Sequence, residues 1–152
     1  MTKKVIALLN DARSVELTAI SQYMAQHYEL ANEGMAKVAS KLKAIAIEEM
    51  KHAELLAERI LFLNGEPTYK PDAAVKKGEE IAALLQTNIG LETEAIKMYN
   101  DAAVICAAEK DQISKQIFES LLANEEEHLD YFQKTLHHIE KLGAAYLTTL
   151  ME

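Results

Sequence analysis

The feature that most restricts how this chain can fold is a polar pattern that occurs twice. A glutamate is followed 33 positions later by the motif Glu-x-x-His, and the whole pattern recurs 76 residues further along. Apolar residues repeat at the same offset, such as the Ala-Leu-Leu of 7–9 at 83–85, and Tyr23 as Tyr99. The two halves are therefore predicted to be copies of one helical hairpin. The repeated polar residues are Glu16, Glu49 and His52 in the first half and Glu92, Glu125 and His128 in the second.

The composition favours helices over strands. Apolar residues make up 49% of the 152 residues and charged residues 26%, with only five Gly and two Pro. Ala, Leu, Glu and Lys, which are abundant here, are all good helix formers. A chain of this length is the size of one domain, and we expect residues 1–152 to form a single domain.

Charge and cysteine content narrow the possible partners and compartment. The net charge of -8 argues against nucleic acid, which requires a basic surface. No apolar run is long enough to cross a bilayer, so no membrane partner is expected. The single cysteine, Cys106, cannot form an intramolecular disulfide, which is typical of a reducing compartment. The predicted location is cytoplasmic.

Capping and turn residues divide the chain into four long helices and a short fifth. The expected fold class is all-α: an antiparallel four-helix bundle with a long crossover between helices 2 and 3 and a short fifth C-terminal helix. The first helix is predicted from Thr2 to Gly34 and the second from there to Gly65, followed by a connection over 65–77 that contains both prolines. The third helix is predicted to end at a turn around 109–111, where Asp111 is the N-cap of the fourth helix. The fourth helix is predicted to end at Gly143, and a short fifth helix lies within 144–151.

The spacing of the repeated glutamates predicts their height in the bundle. Glu16 and Glu49 are equidistant from the first predicted turn at 32–33, and the second pair is equidistant from the turn at 108–109. Residues equidistant from the turn of an antiparallel hairpin lie at one level, here about 16 residues or roughly 25 Å from each turn. Since all four glutamates fall on apolar rows, we expect them to meet inside the bundle.

Four carboxylates in a bundle core are costly unless they are protonated, paired or bound to cations. No Lys or Arg is expected on the same rows near their level, so two divalent ions are the simplest partners. His52 and His128 would each supply one neutral nitrogen. One Glu from each of two helices and Glu-x-x-His from the other two is the pattern of ferritin-like di-iron and di-manganese proteins. An oxygen-rich set with two nitrogens suits iron or manganese, although ligand type alone leaves zinc open.

Beyond the metal pattern, the chain resembles the bacterioferritin family over nearly its full length. The resemblance is carried by Glu-Leu-x-Ala-Ile-x-Gln-Tyr at 16–23, Glu-Glu-Met-Lys-His-Ala at 48–53, Arg-Ile-Leu-Phe-Leu at 59–63 and Glu-x-x-His at 125–128. It implies a ferritin-like di-iron domain in which the six repeated residues are catalytic ferroxidase ligands, with Glu49 and Glu125 bridging the two irons. Tyr23 is predicted either to hydrogen-bond a ligand carboxylate or to be an ordinary core tyrosine.

The resemblance also implies a function and an assembly. Fe(II) would be oxidised to Fe(III) with O2 or H2O2 at the di-iron centre, and ferric mineral would be stored inside a shell of about 24 subunits built from twofold dimers. The resemblance further implies a ferredoxin-type reductant as a partner for iron release.

Met50 adjoins a ligand but is predicted to point away from it, because consecutive helical residues are about 100° apart. Ala46, Ala53 and Ala57 are expected to flank it on the outer stripe of the helix. In the bacterioferritin family, which the chain resembles, a methionine at this position is an axial ligand of haem b shared between two subunits. The residues that resemble the lining of that family's haem pocket are Leu17, Ser21, Met24 and Ile47. The alternative is a methionine that only fills a subunit interface.

Two other functions remain open from the sequence. The first is a ferritin-like di-iron oxidoreductase or peroxidase that stores no mineral. The second is a metal-free helical assembly protein whose acidic residues are solvated. Native mass distinguishes storage from the soluble oxidase, and burial of the glutamates distinguishes both from the metal-free protein.

Overall fold

The long helices of the computed structural model, which describes residues 2–151, form two antiparallel hairpins. They are α1 (Thr2–Asn32), α2 (Ala36–Phe62), α3 (Ile81–Ala108) and α4 (Gln112–Leu142), followed by α5 (Ala144–Leu147) and a 3-10 turn at Thr148–Leu150. Helix α1 packs along α2, and α3 along α4. The predicted all-α bundle with a long crossover and a short fifth helix is confirmed. Within the described residues, no helix is both long and apolar enough to cross a membrane.

The helix ends follow local chemistry, but both ends of the crossover differ from the predicted boundaries. The Asp111 side chain caps α4 as predicted, accepting a hydrogen bond from the Ser114 amide at 2.9 Å. Helix α2 ends at Phe62 rather than near Gly65, because Asn64 adopts a left-handed conformation with φ of 65°. The Gly65 amide then returns to the Ile60 carbonyl at 2.8 Å, a bond that closes the helix end. The crossover therefore spans 63–80, longer than the predicted 65–77.

Polar side chains of α1 hold the crossover against the bundle. Arg13 donates two hydrogen bonds to the Thr68 carbonyl, at 3.0 and 2.8 Å, and one to the Ala53 carbonyl at 2.6 Å. Asn10 accepts from the Thr68 amide at 2.8 Å. Arg13 is buried one turn from Glu16, so the expectation that no basic residue lies near the glutamates was wrong. Because its guanidinium bonds carbonyl oxygens, it acts mainly as a clamp for the crossover.

The apolar core is divided into two clusters, one toward each end of the bundle. One includes Tyr23, Leu42, Leu85 and Phe132, and the other includes Leu9, Leu56, Tyr99 and Phe118. In each long helix, the repeated glutamates and histidines fall between the residues of these two clusters. The buried glutamates and histidines are therefore enclosed by packed apolar layers on both sides. This packing keeps their position along the bundle well defined.

Candidate metal centre

All six repeated residues are buried at one level of the bundle. The four glutamates are at most 1% exposed, while His128 is 3% and His52 9% exposed. The alternative of a metal-free protein with solvated acids is therefore contradicted. The buried residues are Glu16 on α1, Glu49 and His52 on α2, Glu92 on α3, and Glu125 and His128 on α4.

The six side chains form two overlapping groups, each with ligand atoms close enough to surround one cation. In each group, one ligand atom from every member lies within 4.8 Å of the others. Glu49 and Glu125 belong to both groups, so their carboxylates lie between the two positions. The groups are Glu16, Glu49, His52 and Glu125, and Glu49, Glu92, Glu125 and His128.

Both histidines turn the same ring nitrogen toward the carboxylates. Nδ1 of His52 lies 3.0 Å from Glu49 and 3.4 Å from Glu125. Nδ1 of His128 lies 3.3 Å from Glu125 and 3.7 Å from Glu92. This arrangement follows from the Glu-x-x-His spacing, which places each histidine one helical turn beyond its glutamate on the same face.

Many polar atoms of this cluster are buried without a hydrogen-bond partner among the described residues. Such atoms are rare in folded proteins unless a ligand or ion satisfies them. Carboxylate oxygens and imidazole nitrogens are also the donors that iron, manganese and zinc accept, so the cluster fits a pair of divalent cations. The atoms are Oε2 of Glu16 and Glu92, both carboxylate oxygens of Glu49, Oε1 of Glu125, Nδ1 of His52 and both ring nitrogens of His128.

Two buried tyrosines each hold a carboxylate of the opposite hairpin. The Tyr23 hydroxyl donates to Glu92 Oε1 at 2.6 Å, and the Tyr99 hydroxyl to Glu16 Oε1 at 2.5 Å. For Tyr23 the structure therefore favours the predicted hydrogen bond to one of the repeated glutamates over an ordinary core tyrosine. The matching role of Tyr99 was missed, although its position in the repeat could have indicated it. Burial, then the neighbouring carboxylates, raises the pKa of both phenols, so they remain hydrogen-bond donors.

The electrostatics of the metal-free cluster favour retained protons. Burial, followed by the charges of neighbouring glutamates, raises the pKa of Glu49 well above its usual value. Burial and the charge of Glu16 raise the pKa of Glu125 to about 8. For His128 burial lowers the pKa, but hydrogen bonding and attraction to Glu125 and Glu92 outweigh it and bring the pKa to about 10. Divalent cations would replace these protons.

Met50 points away from this cluster, as predicted, and is 41% exposed. Ile47, one turn away, is equally exposed. The expectation that Ala46 and Ala53 flank Met50 on the outer stripe was wrong, because both are buried. In helical projection they lie between Met50 and Glu49, on the side that packs into the bundle.

A bundle of four long helices that buries paired Glu and Glu-x-x-His residues at one level is a ferritin-like fold whose carboxylates and imidazoles could hold two metal ions. Residues 6–142 match the family model described as a Ferritin-like domain. Bacterioferritins of several bacteria are 31–41% identical to this chain over 91–98% of its length, so the chain belongs to the bacterioferritin family.

Two of these relatives illustrate the extent of the match. The Desulfovibrio desulfuricans bacterioferritin is 38% identical over 147 residues, which cover 97% of this chain and 82% of that protein. The Rhodobacter capsulatus bacterioferritin is 41% identical over 141 residues, which cover 92% of this chain and 87% of that protein.

Solved structures agree with the sequence matches. The crystal structure of the Desulfovibrio desulfuricans bacterioferritin, which describes a diiron site in different catalytic states, superposes with a TM-score of 0.96. It is 38% identical, and the match covers 98% of this chain and 87% of that one. The Mycobacterium tuberculosis bacterioferritin superposes with a TM-score of 0.94 at 31% identity, covering 98% and 94% of the two chains.

Proposed function

We propose that this protein stores iron and is a ferroxidase, oxidising Fe(II) to Fe(III) at the buried glutamate and histidine cluster with O2 or H2O2. The observation that carries the proposal is the pair of overlapping ligand groups with Glu49 and Glu125 in common. Two cations held side by side in this way can be oxidised together while each loses one electron. Membership of the bacterioferritin family supports iron as the metal.

The contacts suggest a role for each residue around the two Fe(II) substrates. Glu16 and His52 would hold one ion, Glu92 and His128 the other, and the two shared glutamates both. Tyr99 binds only Oε1 of Glu16, which leaves Oε2 without a partner and free to bind metal. Glu92 is held in the same way by Tyr23. The tyrosines would therefore orient these two carboxylates before iron arrives.

Anaerobic titration of the metal-free protein with Fe(II) tests this function. We expect two tightly bound Fe(II) per subunit. After oxygen is added, we expect rapid oxidation, measured as an increase in the ultraviolet absorbance of Fe(III). Glu125→Ala should abolish the rapid phase. The matched control is Glu127→Ala, which removes an exposed carboxylate from the same helix and should oxidise iron at the wild-type rate. Wild-type kinetics in Glu125→Ala would refute the site.

Storage further requires a hollow assembly, and we propose a homo-oligomeric shell of about 24 subunits. Native mass spectrometry distinguishes it from the alternative, a soluble di-iron oxidoreductase or peroxidase that stores no mineral. We expect a mass close to that of about 24 chains, and a core that accumulates many more Fe(III) than two per subunit. A dimer that turns over without accumulating iron would favour the alternative.

Met50 is the proposed axial ligand of a haem b shared between two subunits. Met50 and Ile47 are both exposed on the side of α2 away from the glutamate and histidine cluster, which supports an apolar surface available to a partner. Met50→Leu should remove the haem Soret absorption from protein reconstituted with haem, while Met98→Leu, on α3, should retain it. If Met50→Leu binds haem as fully as the wild type, Met50 is not a haem ligand and only fills a subunit interface.

A further inference from the structure

The two halves of the metal centre repeat their ligands but not the residue that precedes each Glu-x-x-His motif. Glu48 precedes the first motif, and Asn124 precedes the second at the same offset of 76 residues. The two equivalent residues meet between α2 and α4, where Asn124 Nδ2 donates to Glu48 Oε2 at 2.7 Å. The position is thus an acid in one half and a neutral amide in the other.

The acid lies beside a buried nitrogen that needs an acceptor. Nδ1 of His128 faces the ligand carboxylates, while its Nε2 is buried without a hydrogen-bond partner. Glu48 Oε1 lies 3.6 Å from this Nε2, and the hydrogen bond from Asn124 holds the other oxygen of the same carboxylate. A histidine that binds metal through Nδ1 carries its proton on Nε2, so Glu48 needs to move only a few tenths of an ångström to accept it.

We infer that Glu48 is a positioning residue for His128, and that it makes the two metal positions unequal. The position held by Glu92 and His128 should bind a divalent cation more tightly than the position held by Glu16 and His52. This inference rests on the proposed function. Asn124, the equivalent residue of the second half, has its amide nitrogen committed to Glu48 and carries no charge.

The physical reason is the effect of a carboxylate on a metal-binding imidazole. A carboxylate that accepts the outer N–H fixes the ring orientation, and it increases the electron density at the metal-binding nitrogen. Loss of such a partner typically weakens metal binding by about 10- to 100-fold. Glu48 is 39% exposed at its side chain, so solvent reduces this effect, and we expect the lower part of that range.

Co(II) binding to the metal-free, assembled protein measures the inequality by calorimetry, without any oxidation step. We expect two Co(II) per subunit with affinities that differ about tenfold. Glu48→Ala should weaken only the tighter event, by about tenfold, and so make the two events alike. Glu127→Gln is the control, because this carboxylate is exposed and lies 3.5 Å from Asn124 on the same side of the bundle. It should leave both affinities unchanged.

The exchange variant Glu48→Asn/Asn124→Glu identifies which position is the tighter one. Crystals grown with one equivalent of Co(II) per subunit should give the stronger anomalous peak between Glu92 and His128 in the wild type. In the exchange variant the stronger peak should move to the position between Glu16 and His52. Thermal unfolding without metal would verify that the variant keeps the native fold.

Each outcome decides the inference. Equal peaks in the wild type, or unequal peaks that do not change in Glu48→Ala and the exchange variant, would overturn it while leaving the two-metal site intact. Failure of the wild type to bind any Co(II) would overturn both the inference and the proposed function.

Discussion

The substitution Glu49→Gln should stabilise the metal-free protein although it destroys the proposed function. Both oxygens of Glu49 are buried without a hydrogen-bond partner. Burial, and then the charges of three neighbouring glutamates, raises its pKa. Glutamine has nearly the same shape, carries no charge, and can donate from its amide to those carboxylates. Leaving a buried polar group unsatisfied costs about 1–3 kcal/mol, and this is the gain expected when Glu49 is replaced.

The pH dependence of this gain has a definite sign. Because the folded-state pKa of Glu49 is raised, its contribution to stability is fully present below the ordinary carboxyl pKa of about 4.5 and is lost as pH rises through the raised value. The advantage of Glu49→Gln should therefore grow with pH. For a chain of this size, 1 kcal/mol corresponds to about 2–4 °C in Tm, so we expect an increase of about 2–12 °C at pH 8 without metal.

Thermal unfolding followed by circular dichroism, with and without Co(II), is the assay. A ligand at 100 times its Kd stabilises the fold by about 2.7 kcal/mol, so the metal should raise the Tm of the wild type but have little effect on Glu49→Gln. The exposed Glu127→Gln, which removes the same charge, should change the metal-free Tm by no more than about 2 °C. A metal-free Glu49→Gln protein that melts below the wild type at pH 8 would refute the electrostatic reasoning.

Three further perturbations test other parts of the structure. Tyr99→Phe removes the hydroxyl that holds Glu16 and should weaken Co(II) binding by about 10-fold; an unchanged affinity would mean that the tyrosine only fills the core. Since Glu125 has a pKa of about 8 and His128 of about 10, both are protonated at pH 7 in the metal-free protein, and Co(II) must displace these protons. Calorimetry in buffers of different ionisation enthalpy should detect proton release at pH 7 that declines above pH 8, whereas pH-independent binding without proton release would contradict these pKa shifts. Asp111→Ala removes the cap of α4 and the largely buried ion pair with Arg59. It should lower the free energy of unfolding, measured by chemical denaturation, by about 3–5 kcal/mol. A change below about 1 kcal/mol would show that the ion pair contributes little.

The fold and the convergence of the six repeated residues were accessible from the sequence because both depend on spacing along single helices. The i, i+3 separation places Glu49 and His52 on one face, and equal distances from a turn place Glu16 and Glu49 at one height. Capping by Asp111 is also a local property.

The boundaries of the crossover were less accessible. Its ends depend on a left-handed Asn64 and on hydrogen bonds from α1, which is about 55 residues away in the chain. Arg13 was overlooked for the same reason, because the carbonyls that it binds belong to α2 and to the crossover. Nothing in the local pattern around an arginine identifies distant backbone oxygens as its partners.

The duplicated sequence by itself determined that four acids and two histidines would converge between matching helical hairpins. Only the tertiary structure decided that each tyrosine binds the carboxylate of the opposite hairpin, and that Glu48 meets its own repeat equivalent, Asn124. The physical reason is that periodicity fixes the face and height of a residue on its own helix. Contacts between hairpins depend in addition on how the helices rotate and interlock when their side chains pack.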